Sequence, residues 1–193
     1  MNAMTWYDHE TDSIWSQPWG RAIRGPLRGV ELFLLPSQLT TWGSWLAEHP
    51  ETAAMTTGVG GGLFDIRQRF NPDFVIGLIL AEQPKAYYYR DVEAAGLVND
   101  KIGEIPVFVW AADNNFHAYV RQAGDQVLTF ELQGDRVVDS QTGSTWDISR
   151  GLAVEGPLKG EGLQPVPSSS SYDWAWLDFY PESPIYEGTG AAQ

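Results

Sequence analysis

Apolar residues in this chain gather in short runs and alternations rather than along helical faces. "FVIGLIL", Phe74 to Leu80, is continuous and bounded by turn residues, and predicts a buried strand. "KAYYYR" predicts a second strand and "IPVFVWA" a third, with Pro106 near its start, where proline is tolerated. In "NFHAYVRQ" the alternation puts Phe116, Ala118 and Val120 on one face and His117 and Tyr119 on the other, with His117 toward solvent. Ala123-Gly124-Asp125 closes a hairpin onto "QVLTFELQ", and Gly134-Asp135 another onto "RVVDS". "RDVEAAGLVND" predicts one or two helical turns ended by Gly96, then a turn at Asn99-Asp100. Two more short helices are predicted. Leu39 to Glu48 brings Trp42, Trp45 and Leu46 to one face behind a Thr40 or Thr41 cap. Asp173 to Phe179 is capped by Asp173 and stops before Pro181. "VPSSSSY" predicts a solvated loop. The expected fold is mainly β, an α+β arrangement with short helices and an antiparallel meander beside turn-rich segments.

Those turn-rich segments repeat. "GPLRG" at Gly25 to Gly29 returns as "GPLKG" at Gly156 to Gly160, and a shift of 131 residues aligns Asp8–Glu51 with Asp139–Glu182 without a gap. Seventeen of 44 positions are identical, where unrelated segments would share about three, the mark of an internal duplication. Proline fixes φ and glycine permits positive φ, so G-P-L-x-G reads as a rigid turn. Neither copy has the spacing of a phosphate loop. The expected organisation is a partial first module over residues 1–57, a linker over 58–72, a complete second module over 73–187 and a frayed tail over 188–193, or one compact unit. The stretch "TTGVGGGLF", Thr56 to Phe64, is the expected flexible join. The first copy lacks the strands that precede the second. It therefore packs against the second copy's sheet or is completed by a partner chain.

Both copies carry D-x-x-T-x-S followed by Trp: Asp8, Thr11, Ser13 and Trp15, then Asp139, Thr142, Ser144 and Trp146. Carboxylate and hydroxyls at this spacing satisfy the backbone of their own turn, and the Trp pins that turn to a core. This predicts a structural clasp whose loss at Asp139→Ala costs roughly 1–2 kcal/mol. A second candidate is an aromatic and acidic cluster, Asp173, Trp174, Trp176, Asp178 and Tyr180, that suits a sugar-binding or glycan-hydrolysing surface. The three histidines, His9, His49 and His117, lie on a turn, at a helix end and in a hairpin. No metal site, cofactor or catalytic residue is predicted, and G-x-S-x-G is absent.

Composition narrows the field. The net charge is −13 and the sequence pI about 4.4, so an anionic surface disfavours nucleic acid and anionic lipid as partners. Cysteine is absent, which removes disulfides and thiolate chemistry. No apolar run approaches spanning length, so no membrane insertion by this chain is expected, and no signal peptide is visible.

The strings "WYDHETDSIW", "GPLRG", "TTWGSWLAEHPET", "AYYYRDVEAAGLVND" and "VVDSQTGSTWD" together resemble the bacterial and archaeal domain of unknown function family 3179 over roughly residues 4 to 187. The resemblance implies tandem modules and an extracytoplasmic setting. It also implies a C-P-x-C pair and a W-H-E motif, but this chain reads "WAADNNF" at Trp110–Phe116 and "EAAGLVND" at Glu93–Asp100. The family's thiol or metal chemistry is therefore not carried over. The expected function is a non-catalytic structural or interaction module, an accessory of a larger extracytoplasmic assembly with a protein partner or homo-oligomer. The alternatives are a carbohydrate-binding or hydrolytic domain, and a degenerate relative of a metal or redox protein.

Overall fold

The computed structural model describes residues 4–33, 35, 42–54 and 74–188. Strands β1 (Thr5–Asp8), β2 (Ser13–Ser16) and β3 (Arg21–Arg24) come first and form one antiparallel sheet, followed by helix α1 (Trp42–Glu48). Hairpin β4 (Phe74–Leu80) and β5 (Gln83–Tyr88) runs straight into α2 (Tyr89–Ala95). Strands β6 (Leu97–Ile102), β7 (Ile105–Ala112) and β8 (Asn115–Val120) make a meander, and β9 (Gln122–Ala123) and β10 (Gln126–Val127) a small hairpin. A second meander follows: β11 (Phe130–Gln133), β12 (Arg136–Asp139), β13 (Thr145–Asp147) and β14 (Leu152–Glu155). The chain then returns. β15 (Gln164–Pro165) pairs with β8, β16 (Ser168–Tyr172) with β4, and, after α3 (Asp173–Phe179), β17 (Ile185–Tyr186) lies parallel to β5. The protein is thus β-rich, with several antiparallel sheets and only short helices, as the sequence predicts.

The continuous apolar runs have a simple cause, since both inner sheets are covered on both faces and alternate residues enter different cores. In β4, Ile76 and Leu78 face β7's Val107 and Val109 across one core, to which α2 adds Val92. Their neighbour Val75 faces the other way, against Ala86 and Trp176 of α3. In β7, Phe108 turns to a third core with Tyr119, Leu128, Phe130 and Trp146. The result is a stack of α3, the β4–β5 sheet, the β6–β8 sheet and the β11–β14 sheet.

Double coverage also corrects four local expectations. His117 is buried, at 7% exposure, not solvated: its ring packs 5.4 Å from Trp110 and 6.3 Å from Tyr119. Asn99-Asp100 is not a turn but the middle of β6. The Asn99 amide donates to the Phe130 carbonyl at 2.8 Å and accepts the Phe130 N–H at 2.8 Å, imitating a strand partner. "SSSS" is not a loop but β16, because pairing along β4 uses the backbone, with the serines exposed or half-buried at the sheet edge. Asp173 is the first residue of α3 rather than its cap; Tyr172 holds that position without a side-chain cap bond. Two expected boundaries also move, since the "YYYR" segment leaves β5 at Tyr89 to begin α2, and Gly96 closes that helix with its N–H on the Glu93 carbonyl at 3.1 Å. The expected linker over 58–72, the flexible stretch Thr56–Phe64, the Leu39 start and threonine cap of the first helix, and tail residues 189–193 lie outside the described residues.

Trp176 shows how tightly the stack closes. Its six-membered ring abuts Gly77 of β4, where a Cβ would overlap the indole, and its Nε1 donates to Ser183 Oγ at 2.8 Å. Gly77→Ala therefore forces the indole off its seat and should cost roughly 1–3 kcal/mol. The check is the midpoint of thermal or urea unfolding followed by tryptophan fluorescence.

Candidate functional site

The D-x-x-T-x-S segments fold into polar knots at the ends of hairpins. In the second, Asp139 is fully buried and gathers its own loop: the Thr142 N–H reaches Oδ1 at 2.6 Å, the Thr142 hydroxyl reaches it at 2.8 Å, and Trp146 Nε1 reaches Oδ2 at 2.9 Å. Ser144 Oγ stands 2.7 Å from Thr142 Oγ1 and accepts the Leu158 N–H at 3.0 Å. The hydroxyl chain thus ties the hairpin loop to the G-P-L-x-G turn, whose Lys159 N–H closes on the Gly156 carbonyl at 3.2 Å. Gly156 has φ of +93° and sits so close that a Cβ would be 2.7 Å from Ser144 Cα, so glycine is required twice over.

The first segment repeats the carboxylate–hydroxyl chain 131 residues earlier, with the Glu10 N–H rather than an indole completing the Asp8 carboxylate at 2.9 Å. Thr11 donates to Asp8 and stands 2.8 Å from Ser13 Oγ, which accepts the Leu27 N–H at 3.2 Å. Gly25, at φ +97°, abuts Ser13 as Gly156 abuts Ser144. Strand registers coincide as well: Trp6 faces Trp15 as Val137 faces Trp146, each with a register shift on the preceding pair of the next ladder. The helices that follow, α1 and α3, each place a Trp Nε1 on a hydroxyl seven residues on, Trp45 to Thr52 at 3.1 Å and Trp176 to Ser183 at 2.8 Å. The two halves meet where Tyr180 donates to the Pro18 carbonyl at 3.1 Å and Trp19 packs edge-on against Phe179 at 5.5 Å.

Burial separates the copies. Asp139 is fully enclosed, whereas Asp8 lies in a far more open setting, where hydrogen bonds from Thr11 and the Glu10 N–H lower its pKa from the ordinary value. In both knots the carboxylate and hydroxyls serve backbone groups and one another, and in the second an indole as well, so the arrangement holds chain rather than performing chemistry. Sequence spacing points to the Asp, Thr and Ser. The Trp146 indole bond and the hydroxyl link to Leu27 and Leu158 emerge only in three dimensions.

The aromatic and acidic cluster is dispersed. Trp176 is buried against Gly77, Tyr180 is turned to Pro18, and the Asp173 carboxylate accepts the Tyr88 hydroxyl at 3.0 Å. Trp174 and Asp178 are exposed, with Tyr172 stacked at 5.9 Å from Trp174. His9 packs edge-on to Tyr7 at 5.0 Å and His49 lies 4.0 Å from the Trp45 ring. Among the described residues no three His, Asp or Glu side chains converge on a metal-sized site, and no helix is long and apolar enough to cross a membrane.

One groove of mixed lining has no counterpart among the sequence expectations. It is lined by Glu82, Gln83, Lys85, Asp100, Lys101 and Glu182. Lys85 Nζ is 2.6 Å from Asp100 Oδ2, which also accepts the Tyr87 hydroxyl at 3.0 Å. Burial opposes ionisation of Asp100. Lys85, the Lys101 N–H and Tyr87 outweigh it and lower the pKa, while burial and the same carboxylate raise that of Tyr87. These groups satisfy one another.

A mainly antiparallel β protein with two clasped turns is the class that fold and site define. A family model described as "Protein of unknown function (DUF3179)" matches residues 1–61 and 64–183, and the chain belongs to that family. No curated protein matches it, and no solved structure does.

Two outcomes follow from this geometry. Asp139→Ala strands a buried indole N–H and a backbone N–H, and should destabilise the protein by about 2–3 kcal/mol. Asp8→Ala, at its open site, should destabilise it distinctly less. Paired urea melts compare the two. A lowered folded pKa at Asp100 means that its contribution to stability is complete above the ordinary carboxylate value, about 3.9. That contribution is lost as pH falls through the depressed value. Asp100→Asn should remove that part of the acid limb in a melting-temperature profile between about pH 5 and pH 2.

Proposed function

We propose that this chain is a non-catalytic interaction module, an accessory of a larger assembly, built from a partial and a complete copy of one duplicated unit. The supporting observation is a mismatch in burial between equivalent residues. Leu163 and Val166 are 5% and 2% exposed in the second half, while their counterparts Leu32 and Leu35 are 48% and 67% exposed. Phe33 between them is 87% exposed. Apolar groups left open in a pattern that is closed elsewhere in the same molecule mark a contact surface. Recurrence of the Thr–Asp, Thr–Ser and Ser–Leu hydrogen bonds at one constant shift supports the duplication. The extracytoplasmic setting rests on the family resemblance. A sugar-binding reading has less to stand on, because Trp176 and Tyr180 are spent on internal contacts.

The test is recovery of the tagged full-length chain from its native cells after brief cross-linking. A polypeptide partner in fixed stoichiometry, identified by mass spectrometry, is the expected result. A lone monomer whose tryptophan fluorescence responds to oligosaccharides would replace this reading with the carbohydrate one.

A further inference from the structure

The second half of the molecule shows what belongs on the first. Over its turn, β11 adds to the outer edge of β12, and β8 pairs with β15, where the Val166 N–H meets the Ala118 carbonyl at 2.8 Å. The Tyr119 ring covers Gly151 so closely that a Cβ there would stand 2.5 Å from Cε1, and its hydroxyl donates to the Ile148 carbonyl at 2.6 Å. Each of these places has an open equivalent. The first sheet ends at β1 among the described residues, so its outer edge has no strand partner there. Leu35 stands where Val166 stands, and Gly20, with φ of +57°, stands where Gly151 stands. A Cβ at Gly20 would meet only Leu32 within 4 Å, at 3.9 Å, among the described residues. Trp6, the counterpart of buried Val137, is 43% exposed.

We propose that β1, Gly20, Leu32, Phe33 and Leu35 form one docking face for a β-sheet of another module of this kind. Resting on the interaction reading above, this names the surface and the partner's chemistry. That sheet lays one edge strand along β1, as β11 lies along β12. It sets a second against Leu35, as β8 lies against β15, and places an aromatic ring over Gly20. Recognition is by main-chain pairing at the exposed β1 edge and along Leu35, with apolar side chains filling the space between. A second copy of this chain is not the occupant, because its own β8 edge is taken by β15 and its own β11 by β12.

The test adds an extra copy of residues 74–136 ahead of Met1 in the full chain, through a flexible linker, and follows amide hydrogen exchange. In the extended protein the Leu35 amide and those of β1 should slow by about tenfold or more. Leu32→Asp, at a site exposed in the unextended chain, should return them to the unextended rate. Trp6→Val is run in parallel, because the added sheet is shaped for Val137. Unchanged exchange at Leu35 and β1 in both the wild-type and the Trp6→Val extended proteins overturns the proposal. So does a dimer of the unextended chain in which those amides are already slow. If cross-linking captures a partner whose contacts lie elsewhere, the interaction reading survives and this surface assignment alone falls.

Discussion

A β-sheet with apolar side chains on both faces has to be covered twice, and this requirement arranges the molecule. The sheets of β4–β5 and β6–β8 send alternate residues to opposite cores, so each needs a layer on either side. Helix α3 caps one end of the stack through Trp176, and the β11–β14 sheet caps the other through Phe130 and Trp146. Of the segments that return late in the chain, β16 and β17 fill both edges of the β4–β5 pair and β15 covers the β8 edge. Edge coverage by short strands, one of them almost pure serine, removes the pairing groups that would otherwise face water.

The clasped turns obey a complementary rule. A buried carboxylate is tolerated only when its charge is met by donors, and Asp139 meets three within its own hairpin and partner strand. Because these donors are local, the knot does not depend on the layers above it. The first copy shows this in part: Asp8, Thr11 and Ser13 keep the carboxylate–hydroxyl chain with far less cover. One polar solution thus serves an enclosed environment and an open one, and the difference between the halves lies in what surrounds the turn.

Much of this is legible in the residues. Continuous runs mark the inner strands, Gly-Asp pairs mark the hairpins, and D-x-x-T-x-S with its following Trp marks the knots, because each signal reports a short-range steric or hydrogen-bonding demand. Context is what local signals miss. His117 and "SSSS" look solvated when polarity is read as exposure, yet an imidazole between aromatic rings and a strand bonded through its backbone both fit inside a layered stack. Asn99-Asp100 looks like a turn because those residues favour one. A carboxamide that mimics a strand partner 31 residues away overrides that local preference. The aromatic cluster near the C-terminal helix is a true concentration of rings in sequence, but a seven-residue helix points them in different directions.

The seven-residue span between Asp139 and Trp146 has a kinetic meaning. Closing so short a loop surrenders little chain entropy, whereas β4 must wait for Ser168–Tyr172, more than eighty positions downstream, before its edge is filled. On loop-closure cost alone the knots are the cheap steps of assembly and the serine strand the expensive one, which predicts turns forming ahead of the closed stack.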